Sequence, residues 1–118
     1  MILGIGVDTV DIARFERTLE RTPRLLERLF TEAERERPVH SLAGRFAAKE
    51  ALIKALGGSD GLEWHDMEIE RDTDRAPSFG RTERLLAVLA RSGAVMPHVS
   101  MTHDGGFATA FVVVEAAR

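Results

Sequence analysis

The sequence has no cysteine, no tyrosine and a single tryptophan, and only two of its basic residues, Lys49 and Lys54, are lysines. Without thiols there is no thiolate nucleophile, no redox relay, no cysteine-bound zinc and no disulfide, so the chain is expected in a reducing compartment, the cytoplasm. The shortage of aromatic residues removes the stacking platform on which unpaired bases are held. A net charge of −3 removes the broad positive field that nucleic acid requires, so no nucleic-acid partner is expected. No apolar run approaches the roughly 18 residues of a membrane span. The apolar opening Met1–Val7 follows no basic stretch and stops at Asp8, so neither a membrane nor an export signal is expected.

What is present is 118 residues, 44% hydrophobic and 30% charged, the mix of one domain spanning 1–118 with no internal repeat and no linker. A chain of this size buries on the order of two-thirds of its unfolded surface, enough for a core without crosslinks. Residues 1–7 alternate Ile2, Gly4 and Gly6 with Leu3, Ile5 and Val7, which predicts a short strand whose backbone is closely approached, with Asp8 at its end. Ile12, Phe15 and Leu19 predict a helix from about Asp11. Thr22-Pro23 reads as the cap and first residue of a second short helix carrying Leu25, Leu26, Leu29 and Phe30. The run TEAERERP at 31–38 reads as a solvated face.

Residues 41–56 form the strongest helical pattern, with Leu42, Phe46, Ile53 and Leu56 on one face and Gly57-Gly58 as the stop. Met67 and Ile69 alternate as in a half-buried strand, and DTDRAP follows as a turn. Residues 81–92 are a further helix ended by Gly93. Strands at 98–103 and 107–115, joined by Asp104-Gly105-Gly106, read as a hairpin whose second strand is apolar enough to be central. This order predicts an α+β fold, an antiparallel sheet with helices packed on one face.

Asp8 directly after an apolar strand reads either as the cap of the next helix or as a ligand, and taken alone it favours the cap. Glu50 lies on the margin of the apolar stripe, where a carboxylate needs a cation. Lys54, four residues on, is the simple partner. A Mg²⁺ ion is the sharper one, since it takes one or two protein carboxylates and completes its shell with water and phosphate oxygens. Asp8 and Glu50 are enough for that, and Val10 rules out a third carboxylate two residues beyond Asp8. Both lysines flank Glu50, where compact ammonium charges suit phosphates. His103, beside Asp104 in the polar knot SMTHDGG, reads either as a structural or merely exposed histidine or as one presented to a ligand. Arg14, Arg17, Arg21, Arg24 and Arg28 recur at steps of three and four. They make a docking stripe for an acidic partner unless Glu16, Glu20 and Glu27 pair with them.

Taken together, GIGVDTVDIARF, RFAAKEALIKALG and HVSMTHD resemble, over nearly the whole length, the holo-acyl-carrier-protein synthase family of 4′-phosphopantetheinyl transferases. The resemblance implies the fold of that family and a Mg²⁺-dependent transfer of phosphopantetheine from coenzyme A to a serine of an apo acyl carrier protein, with release of adenosine 3′,5′-bisphosphate. By motif position Asp8 and Glu50 match the metal carboxylates, and Lys54, Lys49, Arg45 and His103 the groups around the phosphates. Arg14, Arg24 and Arg28 match the basic face that meets the carrier protein. The resemblance further implies a homotrimer with active sites between subunits. Where the family often has Gly, then Lys or Arg, then Pro, this chain has Arg75-Ala76-Pro77. Which carrier protein is served stays open.

Chemically this is displacement at phosphorus, in which the protein positions the reactants and neutralises charge. Asp8, Glu50, Lys54 and His103 are the expected catalytic set. For the general base Glu50, a metal-bound water and the His103 and Asp104 pair all remain candidates. Two other functions use the same residues: a catalytically silent module that binds carrier protein or coenzyme, and a Mg²⁺-dependent phosphohydrolase of nucleotide pyrophosphates.

Overall fold

Branched and aromatic residues concentrate towards the two ends of the chain and straight-chain helix formers in its middle, and the architecture follows that division. The computed structural model describes residues 1–71 and 76–118. Its order is β1 (Ile2–Asp11), α1 (Ile12–Arg21), α2 (Arg24–Leu29), α3 (Glu32–Arg35), α4 (Val39–Leu56), a 3₁₀ turn (Trp64–Met67), β2 (Ile69–Glu70), β3 (Ser78–Phe79), α5 (Glu83–Ser92), β4 (His98–Asp104) and β5 (Phe107–Glu115).

The main sheet is antiparallel with order β1-β5-β4, so β5 is central as its composition predicts. The pair Asp104↔Phe107 closes the hairpin on two residues, Gly105 and Gly106. Their φ angles of 58° and 83° lie in the left-handed region that such turns require, which explains two consecutive glycines. β1 is longer than the alternation of residues 1–7 implies. It pairs with β5 as far as Asp11↔Phe107, which puts Asp8 inside the strand, opposite Ala110. The helix cap is therefore Asp11, whose carboxylate accepts from the backbone N–H of Arg14 at 3.0 Å.

The expected close approach to β1 is made by α4. A Cβ on Gly4 would collide with the carbonyl oxygen of Ala55, and one on Gly6 with that of Ala51. Two strand residues advance about 6.7 Å and four helix residues about 6 Å, so the two glycines meet successive turns of α4. This contact also corrects the expected apolar face. Of Leu42, Phe46, Ile53 and Leu56 only Leu42 is buried, because the face against the sheet has room mainly for Ala43, Ala47, Ala48, Ala51 and Ala55. The larger residues stand at its margins. The opposite face of the sheet is uncovered, with Leu3, Ile5, Val7, Phe107 and Phe111 all exposed, Ile5 to 55%.

Other boundaries shift for local reasons. Thr22 closes α1, its N–H on the carbonyl of Thr18 at 3.0 Å, and α2 begins after Pro23. Met67 belongs to the 3₁₀ turn, and the strand it was expected to share is only Ile69–Glu70, paired with β3. Most of DTDRAP, and Arg75 of Arg75-Ala76-Pro77, fall in 72–75, outside the described residues. Gly57 and Gly93 end α4 and α5 in the left-handed conformation.

Candidate active site

Asp8 follows Gly6 on the same face of β1, and Glu50 and Lys54 lie one turn apart on α4. The glycine contact therefore brings a strand carboxylate to a helical carboxylate and an ammonium. All three line an open cleft of about 710 Å³, together with Arg14, Arg28, Phe15, Phe46 and Trp64. Lys54 Nζ donates to Asp8 Oδ1 and to the carbonyl of Val7, both at 3.0 Å. The Lys54 side chain is 53% exposed, so this pair contributes little to stability. Partial burial raises the affinity of Glu50 for a proton, the Asp8 carboxylate raises it further, and Lys54 only partly opposes both. Within this trio two carboxylates face one ammonium. Among the described residues no three histidine, aspartate or glutamate side chains are placed to hold a metal ion together, and one or two carboxylates are what a Mg²⁺ shared with substrate phosphates takes from a protein.

Lys49, expected at the phosphates, points elsewhere. It is fully buried, donating to Glu34 Oε1 and to the carbonyl of Leu29, both at 2.7 Å. Successive helix residues point about 100° apart, so a residue next to Glu50 faces the core while Glu50 faces the cleft. Burial lowers the pKa of Lys49 against the opposing pull of Glu34. Glu34 also corrects the reading of 31–38 as a solvated face. It is buried, it accepts from the N–H groups of Thr31 at 3.1 Å and Ile69 at 3.0 Å, and with Thr31 it forms a capping box. Arg45 is buried in the same network, its Nη1 on Ser41 Oγ and its Nε 3.8 Å from Glu34 Oε2 without a hydrogen bond. Burial is also the first cause of its lowered pKa, followed by repulsion from Arg37.

His103 does not join Asp8 and Glu50 within one chain. It pairs with Ala108, which pairs with Val10, so two strand spacings separate it from β1. Its ring lies against His40, centroids 4.8 Å apart, in a small cleft of about 90 Å³ that Ser41, Arg71 and Thr102 also line. His40 precedes Glu50 on α4 by ten residues, about 15 Å of helix. Arg14, Arg24 and Arg28 are exposed on α1 and α2. Among the described residues none of them forms an ion pair with Glu16, Glu20 or Glu27.

Sequence reasoning missed Glu34, His40, Trp64 and His65. The spacing Thr31-x-x-Glu34 is a capping-box signal that marks Glu34 as more than a surface charge. For His65, whose Nε2 meets the carbonyl of Glu27 at 2.7 Å, no signal existed, because its partner is backbone.

A family model described as the 4′-phosphopantetheinyl transferase superfamily matches residues 4–112. The chain is 63% identical to a holo-[acyl-carrier-protein] synthase of Leifsonia xyli, over 98% of both chains. It is 59% identical to that of Clavibacter sepedonicus, over 98% of this chain and 97% of the relative. Among solved structures, the synthase of Neisseria meningitidis superposes with a TM-score of 0.87 at 32% identity, over 98% of this chain and 99% of the other. The synthase of Helicobacter pylori, in complex with coenzyme A, gives 0.81 at 34% identity, over 94% of this chain and 99% of the other. With this fold, and with a match along nearly its whole length, the chain belongs to the 4′-phosphopantetheinyl transferase superfamily and, within it, to the holo-acyl-carrier-protein synthases.

Proposed function

We propose that this transferase moves the 4′-phosphopantetheine arm of coenzyme A to a serine hydroxyl of an apo acyl carrier protein and releases adenosine 3′,5′-bisphosphate. The observation that carries this reading is the meeting of Asp8, Glu50 and Lys54 in a cleft bordered by Arg14 and Arg28. Coenzyme A bound to the Helicobacter pylori relative supports the donor. The free arginines support an acidic acceptor.

The two carboxylates fit Mg²⁺, which when bound supplies Lewis-acid neutralisation of the pyrophosphate of coenzyme A. Lys54, held near by Asp8, exchanges that contact for phosphate oxygens and offsets the charge of the departing bisphosphate. Arg14, Arg24 and Arg28 hold the carrier protein so that its serine enters the cleft in line with the phosphorus. The serine proton leaves on the carboxylate side, to Glu50 directly or through one water.

His103, which stands apart from Asp8 and Glu50 within one chain, serves the phosphates of coenzyme A from a neighbouring copy, whereas Arg45, expected there too, is buried in the Glu34 network. This role of His103 assigns the uncovered sheet face of Leu3, Ile5, Val7, Phe107 and Phe111 to contacts within a homotrimer, since contiguous apolar surface of this kind marks an interface. The test of assembly is the mass in solution. A trimer for the native chain and a monomer for Phe111→Glu are expected, and a native monomer ends the trimeric reading.

The test of function is the intact mass of an apo acyl carrier protein incubated with the protein, coenzyme A and Mg²⁺. A gain of one phosphopantetheine with the native chain and none with Glu50→Gln is expected. No gain with several carrier proteins, despite Mg²⁺-dependent binding of coenzyme A, replaces the transferase by the silent module. Release of nucleotide without a carrier protein indicates the phosphohydrolase.

A further inference from the structure

The carbonyl oxygens of a helical C-terminus have no partner inside the helix, and a helix as short as α2 does not persist by its own hydrogen bonds. In α2 these oxygens are taken from outside by basic side chains of different elements. The carbonyl of Glu27 meets His65 Nε2 of the 3₁₀ turn at 2.7 Å, and that of Leu29 accepts from Lys49 Nζ of α4 at 2.7 Å. Just beyond the helix, the carbonyl of Phe30 accepts from Arg35 Nε of α3 at 3.0 Å. The cations Lys49 and Arg35 also complement the negative end of the helix. Since a carbonyl only accepts, His65 must carry its proton on Nε2.

Arg28 sits between the two gripped residues, exposed and on the wall of the cleft. Lys49 immediately precedes Glu50. One end of α2 is therefore tied to the helix that carries the catalytic carboxylate, one residue away from it in the chain. We propose that His65 and Lys49 are positioning residues for acceptor recognition, fixing α2 so that Arg24 and Arg28 stand at a set distance from Asp8 and Glu50. The inference rests on the transferase reading above. An unclamped α2 still attracts an acidic partner, but its arginines must be ordered at each encounter, so the loss falls on acceptor binding and not on coenzyme A.

The test compares native protein, His65→Ala and His65→Gln by KM for apo carrier protein, KM for coenzyme A and kcat. Direct calorimetric binding of apo carrier protein accompanies these, because it needs no turnover. For His65→Ala the acceptor KM and Kd rise about three- to tenfold, the loss of one hydrogen bond. The KM for coenzyme A stays within roughly twofold. His65→Gln, whose amide N–H donates from a similar place, restores most of the affinity. In an Arg28→Ala background the effect of His65→Ala shrinks, because both act through the same contact. Lys49→Met moves the acceptor KM in the same direction, and the surface His65 series decides if that variant does not fold.

An unchanged acceptor Kd, an equal rise in both KM values, or full additivity with Arg28→Ala overturns the inference. If no carrier protein is modified yet apo carrier protein still binds with these differences, the transferase reading fails and the positioning role stands.

Discussion

Two clusters of acid and lysine share α4 and differ in nearly every physical respect. Glu34 and Lys49 are 2.7 Å apart with almost no exposure, and both groups have backbone partners as well. Asp8 and Lys54 are 3.0 Å apart with the lysine side chain half exposed, and Glu50 adds a second carboxylate that forms no ion pair among the described residues. The first cluster is closed to solvent, with Glu34 between two buried cations, Lys49 and Arg45, and it acts as a fastener between α3, α4, α2 and β2. The second is left incomplete on the solvent side. Charged groups sealed from solvent are out of a ligand's reach, so the cluster that opens on the cleft is the one proposed to receive a metal and a pyrophosphate.

Removing one partner of each cluster tests this contrast. Lys49→Met leaves Glu34 buried without its nearest cation and should cost about 3–5 kcal/mol. This is read as a lower denaturant midpoint at unchanged slope. A cost below about 1 kcal/mol for Lys49→Met would place the buried pair in the same class as surface ion pairs.

Glu50→Gln should do the reverse, abolishing transfer while leaving stability intact or raised. Its pKa is raised in the fold by burial and by Asp8, so the folded state binds more protons than the unfolded one just above the ordinary glutamate range. In that window native stability falls as pH rises. Melting temperatures without metal should therefore decline with pH for the native chain and less so for Glu50→Gln, and coinciding profiles would show that Glu50 is not strained. Smallest is the thermodynamic effect of Lys54→Ala. Its exposed pair is worth about 0–1 kcal/mol, so stability should hardly move while turnover falls. A large loss of stability would mean that Lys54 is a fastener too.

The parts of this design that depend on local pattern were legible in the sequence. Gly4 and Gly6 announced a close approach, the Gly105-Gly106 hairpin and the apolar β5 announced the sheet, and Asp8 and Glu50 stood out as acids on apolar margins. What depends on pairing across the chain was not legible. Glu34 looked solvated because its partner lies 15 residues on, and Lys49 looked like a phosphate ligand because neighbouring helix residues share a motif but not a direction. The true inner face of α4 was hidden because alanines weigh little in a hydrophobic pattern yet are what a strand in backbone contact demands. The distance of His103 from Glu50 follows from strand order, which composition alone does not give.

The pairing of β1 with β5 also has a consequence in time. Asp8 lies on a strand whose only neighbour in the main sheet, among the described residues, comes from near the other end of the chain. At the roughly 5–20 residues per second of protein synthesis, β1 waits about 5–20 s after it is made before β5 is complete. During that interval α4 can form as a local helix, but the glycine strand can join it only as an unpaired ribbon with exposed edges. The nascent chain is therefore most open to aggregation, and most in need of a chaperone, while the carboxylate strand is already synthesised and its partner is not.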